Sequence, residues 1–281
     1  MPTPSIREAP DRDTPAVSIV PLDTLARQRA AAVLYREVFA YADTDHSVNP
    51  KLLQGLVDNG GTALGVFTAD GRALGFCYGF SAIDASGLYH YSQATVIAAS
   101  EQGRGLGRAL KHAQADAARA LGARSMRWTY DPALTRNAHF NLDVLGGVGI
   151  RFRHDYYGEP GTDRVVVDWP LDPELAAAAA SRRVRALADA SSLAASTDVE
   201  GRADAAGVVV ATGADVRTIS APLDGGAVAP VHRPALGAAI AAAMADGLVA
   251  RSCGLDSRSG VSDGPTADLP PARAVYVFGG R

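Results

Sequence analysis

Cysteine is scarce: Cys77 and Cys253 are the only two in 281 residues. Two are too few for a zinc cluster and lie too far apart for a paired-cysteine redox motif, so a reducing cytoplasm is the expected setting. Positive charge is not in excess. Against 27 Lys and Arg stand 30 Asp and Glu, a formal net charge of −3, and that balance calls for no nucleic acid or other polyanionic partner. No run of 18 apolar residues is free of charge, so no membrane-crossing helix is expected. No His-x-x-x-His pattern or cluster of carboxylates suggests a catalytic metal. The first 15 residues also lack an apolar stretch and carry Pro2, Pro4, Pro10 and Pro15, which reads as a flexible arm and not a signal peptide. What is present is ordinary globular chemistry, 47% hydrophobic and 20% charged, in a length that suggests about two domains.

Apolar spacing predicts a first helix over 22–41 and a second after Asn49-Pro50, stopped at Asn59-Gly60-Gly61. Strands are expected at 62–68 and 73–81, joined through Ala69-Asp70-Gly71-Arg72, whose Asp-Gly pair is a hairpin signal. Tyr89, Tyr91, Thr95, Val96 and Ile97 mark a third strand over 88–98. Leu106, Ala109, Leu110, Ala113, Ala117 and Leu121 then recur at helical spacing until Gly122. A strand at 125–130, a short helix at 137–145 and two strands near 151–157 and 164–169 complete the series. The Ala- and Arg-rich stretch 174–193 reads as a helix, either a linker or docked. Farther on, 207–211 and 275–278 read as strands, 234–248 as a helix and 256–271 as a loop.

The most informative segment is Gln102-Gly103-Arg104-Gly105-Leu106-Gly107, which joins a strand to a helix. The first N–H groups of a helix have no internal acceptor, and its dipole places about half a positive charge there. Glycines let the backbone approach phosphate oxygens, and Arg104 and Arg108 add full charges at the mouth, so the turn can hold a pyrophosphate. A P-loop requires Gly-Lys-Ser/Thr, which is absent. The dinucleotide fingerprint fails whether counted from Gly103 or from Gly105. Asp131, at the end of the next strand, is the one feature keeping an NAD(P)-dependent reductase as an alternative.

The spacing of Gln102, Gly105 and Gly107 resembles motif A of the GNAT acyltransferases, and the predicted element order over about residues 20–170 is similar to theirs. Arg127-Trp128-Thr129-Tyr130-Asp131-Pro132, Arg136-Asn137-Ala138-His139-Phe140-Asn141-Leu142 and Leu145-Gly146 resemble a GNAT subfamily signature in which Phe is usual at Tyr130. The resemblance covers most of residues 88–169 and runs on through Tyr157-Gly158 to Thr162-Asp163-Arg164. It implies an α/β GNAT fold, with a mixed, mostly antiparallel sheet splayed at the cofactor site and flanked by helices. The organisation expected is an arm at 1–15, the GNAT domain at 16–170 that the resemblance implies, an Ala-rich helical linker at 171–200 and a C-terminal α/β extension at 201–281.

The cofactor implied is acetyl-CoA or another acyl-CoA. By position, Ile97 and Ala99 would meet its pantetheine arm through their backbone, and Gln102, Gly103, Arg104, Gly105, Leu106, Gly107 and Arg108 would surround the pyrophosphate. The amide of Ile97 or Ala98 would steady the oxyanion, and Asn137 would face the pantetheine or thiol. The tyrosine that many GNAT enzymes use as an acid is missing, because Leu142 stands in its place. Tyr130 is the expected substitute, with Tyr156 and Tyr157 as others. His90 is the preferred base because imidazole titrates near neutrality; Glu101, His46 and His139 are further candidates. Asp43, Asp45 and His46, between the first two helices, are the expected acceptor-binding residues. The function expected is transfer of an acyl group to an amine of a small molecule or protein. The alternative is a non-catalytic acyl-CoA-responsive module whose residues 171–281 carry the interaction.

Overall fold

The computed structural model describes residues 17–41, 47–195, 202–203, 207–256 and 272–281. The expected arm at 1–15, the expected acceptor residues Asp43, Asp45 and His46, and all but the first residue of the expected loop at 256–271 lie outside them. The chain forms two compact units, neither contiguous in sequence. Unit 1 comprises residues 1–80 and 92–117, and unit 2 comprises 81–91 and 118–281.

Unit 1 is built from β1 (Val17–Pro21), α1 (Leu25–Phe39), α2 (Pro50–Asp58), β2 (Thr62–Thr68), most of β3 (Ala73–Asp84), the end of β4 (Gly87–Ile97) and most of α3 (Leu106–Ala120). β1 has no signal in the sequence: it is short and largely exposed, so its pattern shows no buried alternation, yet it pairs antiparallel with β2 from Val17↔Thr68 to Pro21↔Leu64. α1 starts at Leu25, later than its apolar spacing suggests, because the Thr24 hydroxyl caps it by accepting from the Arg27 N–H at 3.3 Å. Asn49 caps α2 in the same way, with Pro50 in the first turn. The β2–β3 hairpin turns at Asp70-Gly71 as expected, with Gly71 at φ +85°. Leu22, Leu34, Leu53, Phe67, Phe76 and Tyr78 make the main core, while Val66, Leu74, Cys77 and Leu110 form a smaller one that includes α3.

α3 carries a buried polar chain beside that second core. The Lys111 ammonium donates to the Ser92 hydroxyl at 2.9 Å, Ser92 donates to the Gln114 side chain at 2.7 Å, and Gln114 donates to the Thr62 hydroxyl at 3.0 Å. Burial disfavours the charged amine and pushes Lys111 down from 10.5 to about 7, the Cys77 thiol opposing slightly. Between those two values the unfolded chain holds a proton at this site that the folded chain does not, so stability rises with pH across that window. Lys111→Met should therefore be more stable than the parent near pH 7, by on the order of a few kcal/mol, and should lose most of the rise. Urea midpoints at about pH 7 and about pH 10 measure this; parallel changes in the two proteins would refute the assignment.

Unit 2 contains β5 (Ser125–Tyr130), α4 (Thr135–His139), β6 (Val148–Arg153), β7 (Arg164–Pro170), α5 (Pro173–Ala195), β8 (Arg202–Ala203), β9 (Val209–Thr212), β10 (Val216–Asp224), β11 (Ala227–Val228), α6 (Arg233–Ala245), β12 (Val249–Leu255) and β13 (Arg273–Gly279). Its strands run in the order β5-β7-β6-β12-β13-β10-β9-β8, with β11 paired to β10, and every ladder in that series is antiparallel. Among the described residues, β4 and β5 form a parallel ladder. The sheet is thus mixed and mostly antiparallel, with helices flanking it.

Three readings change. The helix expected at 137–145 is α4 followed by a wide turn of π type at Phe140–Val144. The strand expected at 151–157 is β6, three residues earlier. The stretch 174–193 is docked, since Ala186 and Ala190 of α5 pack on Val216 and Val277, close enough that a Cβ at Gly279 would lie 2.7 Å from that of Ala186. The C-terminal strands continue the sheet through Ala250↔Gly149.

Candidate functional site

β4 leads into the glycine turn through a short 3-10 turn at Ala99–Glu101. The N–H of Ala98 donates to the carbonyl of Leu74 on β3 at 2.9 Å. Successive residues of a strand point their backbone groups to opposite sides, so those of Ile97 face away from β3. The Gln102 side-chain amide donates to the Ile97 carbonyl at 3.4 Å, fixing the strand end to the turn. Of the two amides expected to steady an oxyanion, Ala98 is therefore committed to β3 and Ile97 is the one aimed away from it.

The turn itself is open. Gly103 and Gly105 both have φ near +82°, a conformation side-chain-bearing residues rarely adopt, and both are exposed. A Cβ at Gly105 would meet no atom within 4 Å, and one at Gly107 would only touch Ile97 at 3.7 Å. The Gly105 carbonyl accepts from the Ala109 N–H at 3.0 Å. Gly105 is thus the helix cap, and the N–H groups of Leu106, Gly107 and Arg108 make up a first turn without intrahelical acceptors. Arg104 does not add a free charge: it is paired with Glu101 at 2.5 Å, and Arg72 approaches the same carboxylate at 3.8 Å. Glu101, 7% exposed, is accordingly a clamp on the turn, a use at odds with the expected role as a base. Arg108 is exposed and forms no ion pair among the described residues.

The other expected residues lie in unit 2. The β4–β5 ladder consists of Tyr89↔Ser125, His90↔Met126 and Tyr91↔Arg127, after which β4 runs on to Ile97 and β5 to Tyr130. His90 is fully buried and Tyr130 nearly so, and burial raises the Tyr130 phenol well above its ordinary value, with Cys253 adding to the effect. Both are sealed from solvent as the chain stands, which conflicts with their expected proton-transfer roles. Asn137 is exposed on α4. Leu142 is fully buried. Asp131 spends one carboxylate oxygen on the Ala133 N–H at 2.8 Å and places the other 3.8 Å from Arg233, so it secures its own turn and the dinucleotide alternative loses its one support.

Tyr156 and Tyr157, the other expected acids, meet Tyr91 at the last ladder pair. The hydroxyls of Tyr91 and Tyr156 lie 3.1 Å apart, Tyr157 stacks edge-on against Tyr156, and the Arg164 guanidinium covers the Tyr157 ring at 5.1 Å. Burial and the neighbouring Tyr156 hydroxyl raise the Tyr91 phenol. Nearby, Arg127 is held by Asp84, Asp168 and Ser86 and lies over the Tyr89 ring at 4.0 Å, while the Trp128 indole donates to Asn141 at 2.8 Å. Trp128, Asn141 and Arg127 of the quoted signature are thus structural. Among the described residues no group of His, Cys, Asp or Glu could hold a metal ion, and no helix is long and apolar enough to cross a membrane.

No protein-family model matches the chain, and no curated protein matches its sequence. Solved structures do match, among them acetyltransferases. A putative GNAT-family acetyltransferase from Desulfovibrio desulfuricans is 17% identical over 56% of this chain and 99% of its own, at TM-score 0.44. The Escherichia coli ribosomal-protein-S18-alanine N-acetyltransferase is 16% identical over 56% of this chain and 95% of its own, also at 0.44. A GNAT-family acetyltransferase from Staphylococcus aureus is 8% identical over 56% of this chain and all of its own, at 0.43.

Proposed function

We propose that the chain is an acyl-CoA-dependent N-acyltransferase, with acetyl as the simplest acyl group and an amine of a small molecule or protein as acceptor. The observation that carries this reading is the turn at 102–107. It is unfilled at Gly105, its first-turn amides lack intrahelical acceptors, Arg108 is available beside it, and it is tied by Gln102 to a strand end whose Ile97 amide faces away from β3. A diphosphate on those amides leaves an attached thioester tail free to run back along the end of β4, where the Ile97 N–H can receive the developing oxyanion. In the transfer the amine nitrogen bonds to the acyl carbon, the C–S bond breaks, the ammonium proton leaves to solvent or a base, and the thiolate takes up a proton.

The test is calorimetry with acetyl-CoA followed by an assay of free thiol released in the presence of an amine panel. Binding with a dissociation constant on the order of 10 μM and amine-dependent thiol release is the expected result. No binding at about 1 mM would overturn the reading. The second reading, a non-catalytic acyl-CoA-responsive module, draws on the buried Leu142 in the usual acid's place; it predicts binding with no thiol release from any amine.

A further inference from the structure

Unit 2 contains a groove of about 800 Å³ that the reading above does not use. Val148, Ile150 and Phe152, alternate residues of β6, give it an apolar floor, with Leu175 of α5 and Met244 of α6 on its walls. Four arginines, Arg151, Arg182, Arg251 and Arg281, line the same space. Among the described residues none of the four forms an ion pair. Asp168 is the one side-chain carboxylate on the lining, and its Oδ1 already accepts from the Ser125 hydroxyl at 2.7 Å and from Arg127 Nε at 2.6 Å.

Arg251 is the anomaly. It sits in the interior of β12 with 3% exposure, one terminal nitrogen donates to the Gly280 carbonyl at 2.5 Å, and its buried Nε has no hydrogen-bond partner. Burying a guanidinium without a counter-charge is costly. Burial, reinforced by Arg182, pulls it down to about 10. An unfolded chain loses nothing by placing Arg there, but a folded one does unless something negative arrives. An anion's oxygens would satisfy the orphaned donor and offset the repulsion between Arg251 and Arg182 together. The volume is that of a typical small-molecule site.

We propose that this groove is a second ligand site, taking a small organic anion whose phosphate or carboxylate head meets Arg251 and Arg182 and whose apolar body lies on Val148, Ile150 and Met244. The inference does not rest on the acyl-CoA reading.

The probe is n-octyl phosphate, titrated by calorimetry into the full chain beside n-octanol and inorganic phosphate, which carry only one of the two features. Octyl phosphate should bind at least tenfold more tightly than either. Arg182 is exposed on α5, so Arg182→Glu should fold and weaken binding at least tenfold. Arg185→Glu makes the same charge change on α5 off the lining and should alter affinity less than twofold. Gly105→Glu, which disables the turn, should retain octyl phosphate binding, and n-octyl carboxylate should bind like the phosphate within about tenfold. Equal weakening by Arg182→Glu and Arg185→Glu would mean unspecific attraction to a basic surface and would overturn the proposal. So would loss of binding in Gly105→Glu, which would place the probe at the turn, or no binding by the wild type at about 1 mM.

Discussion

Gly105→Glu should abolish acetyl-CoA binding, a loss of at least about a hundredfold in affinity, or roughly 2.7 kcal/mol. Two effects act at this position, and they can be separated. Any side chain at φ +82° strains the backbone, at a cost of about 1–2 kcal/mol, but a Cβ there meets empty space. Gly105→Ala should therefore lower the melting temperature slightly while leaving a site that still binds. Glutamate adds a carboxylate directly in front of the Leu106, Gly107 and Arg108 amides, where it occupies the place of a phosphate and repels it. Calorimetry on the three proteins distinguishes the cases. If Gly105→Glu keeps its affinity for acetyl-CoA, the diphosphate is not held by this turn.

Asp143→Ala should be the most destabilising single truncation in unit 2, by about 3–5 kcal/mol. Its carboxylate, 11% exposed, pairs with Arg183 at 2.5 Å. It also accepts from the Ser252 hydroxyl at 2.6 Å and the Cys253 N–H at 2.9 Å, and His139 Nδ1 lies 3.3 Å away. Removing it strands a guanidinium, a hydroxyl and a backbone N–H at once, and the wide turn that presents it would lose its tie to β12. A drop in melting temperature of about 10 °C follows from that loss. Arg183→Ala should cost distinctly less, because Ser252 and Cys253 still satisfy the carboxylate. The reverse order in melting temperature would show that the ion pair, and not the carboxylate's several bonds, holds this region.

What could be read from the residues depends on what each signal encodes. The helix at α3 and its glycine turn were legible because the apolar spacing is regular and glycines at positive φ announce themselves. The hairpin at Asp70-Gly71 was legible for the same local reason. β12 was not: Arg251 and Ser252 lie at its centre and are buried, and a pattern that treats polar residues as exposed cannot find such a strand. β10 mixes Arg217, Thr218 and Ser220 among its apolar residues and was missed likewise. Within the site, the turn and Ile97 were recoverable from spacing, whereas the Glu101–Arg104 pairing and the Ala98 bond to Leu74 depend on where side chains and neighbouring strands come to rest. The Tyr91–Tyr156 contact joins residues 65 apart, and no local signal carries it.

β3 and β4 each pass from one unit into the other, with residues 81–91 belonging to unit 2. On the ribosome this has a temporal meaning. The hairpin tip that carries Asp84 and Tyr89 emerges some forty residues before Arg127 does, so until β5 is synthesised its two strands have only each other to pair with. A nascent chain arrested before Arg127 has emerged should therefore exchange its amides over 81–91 faster than the complete chain does.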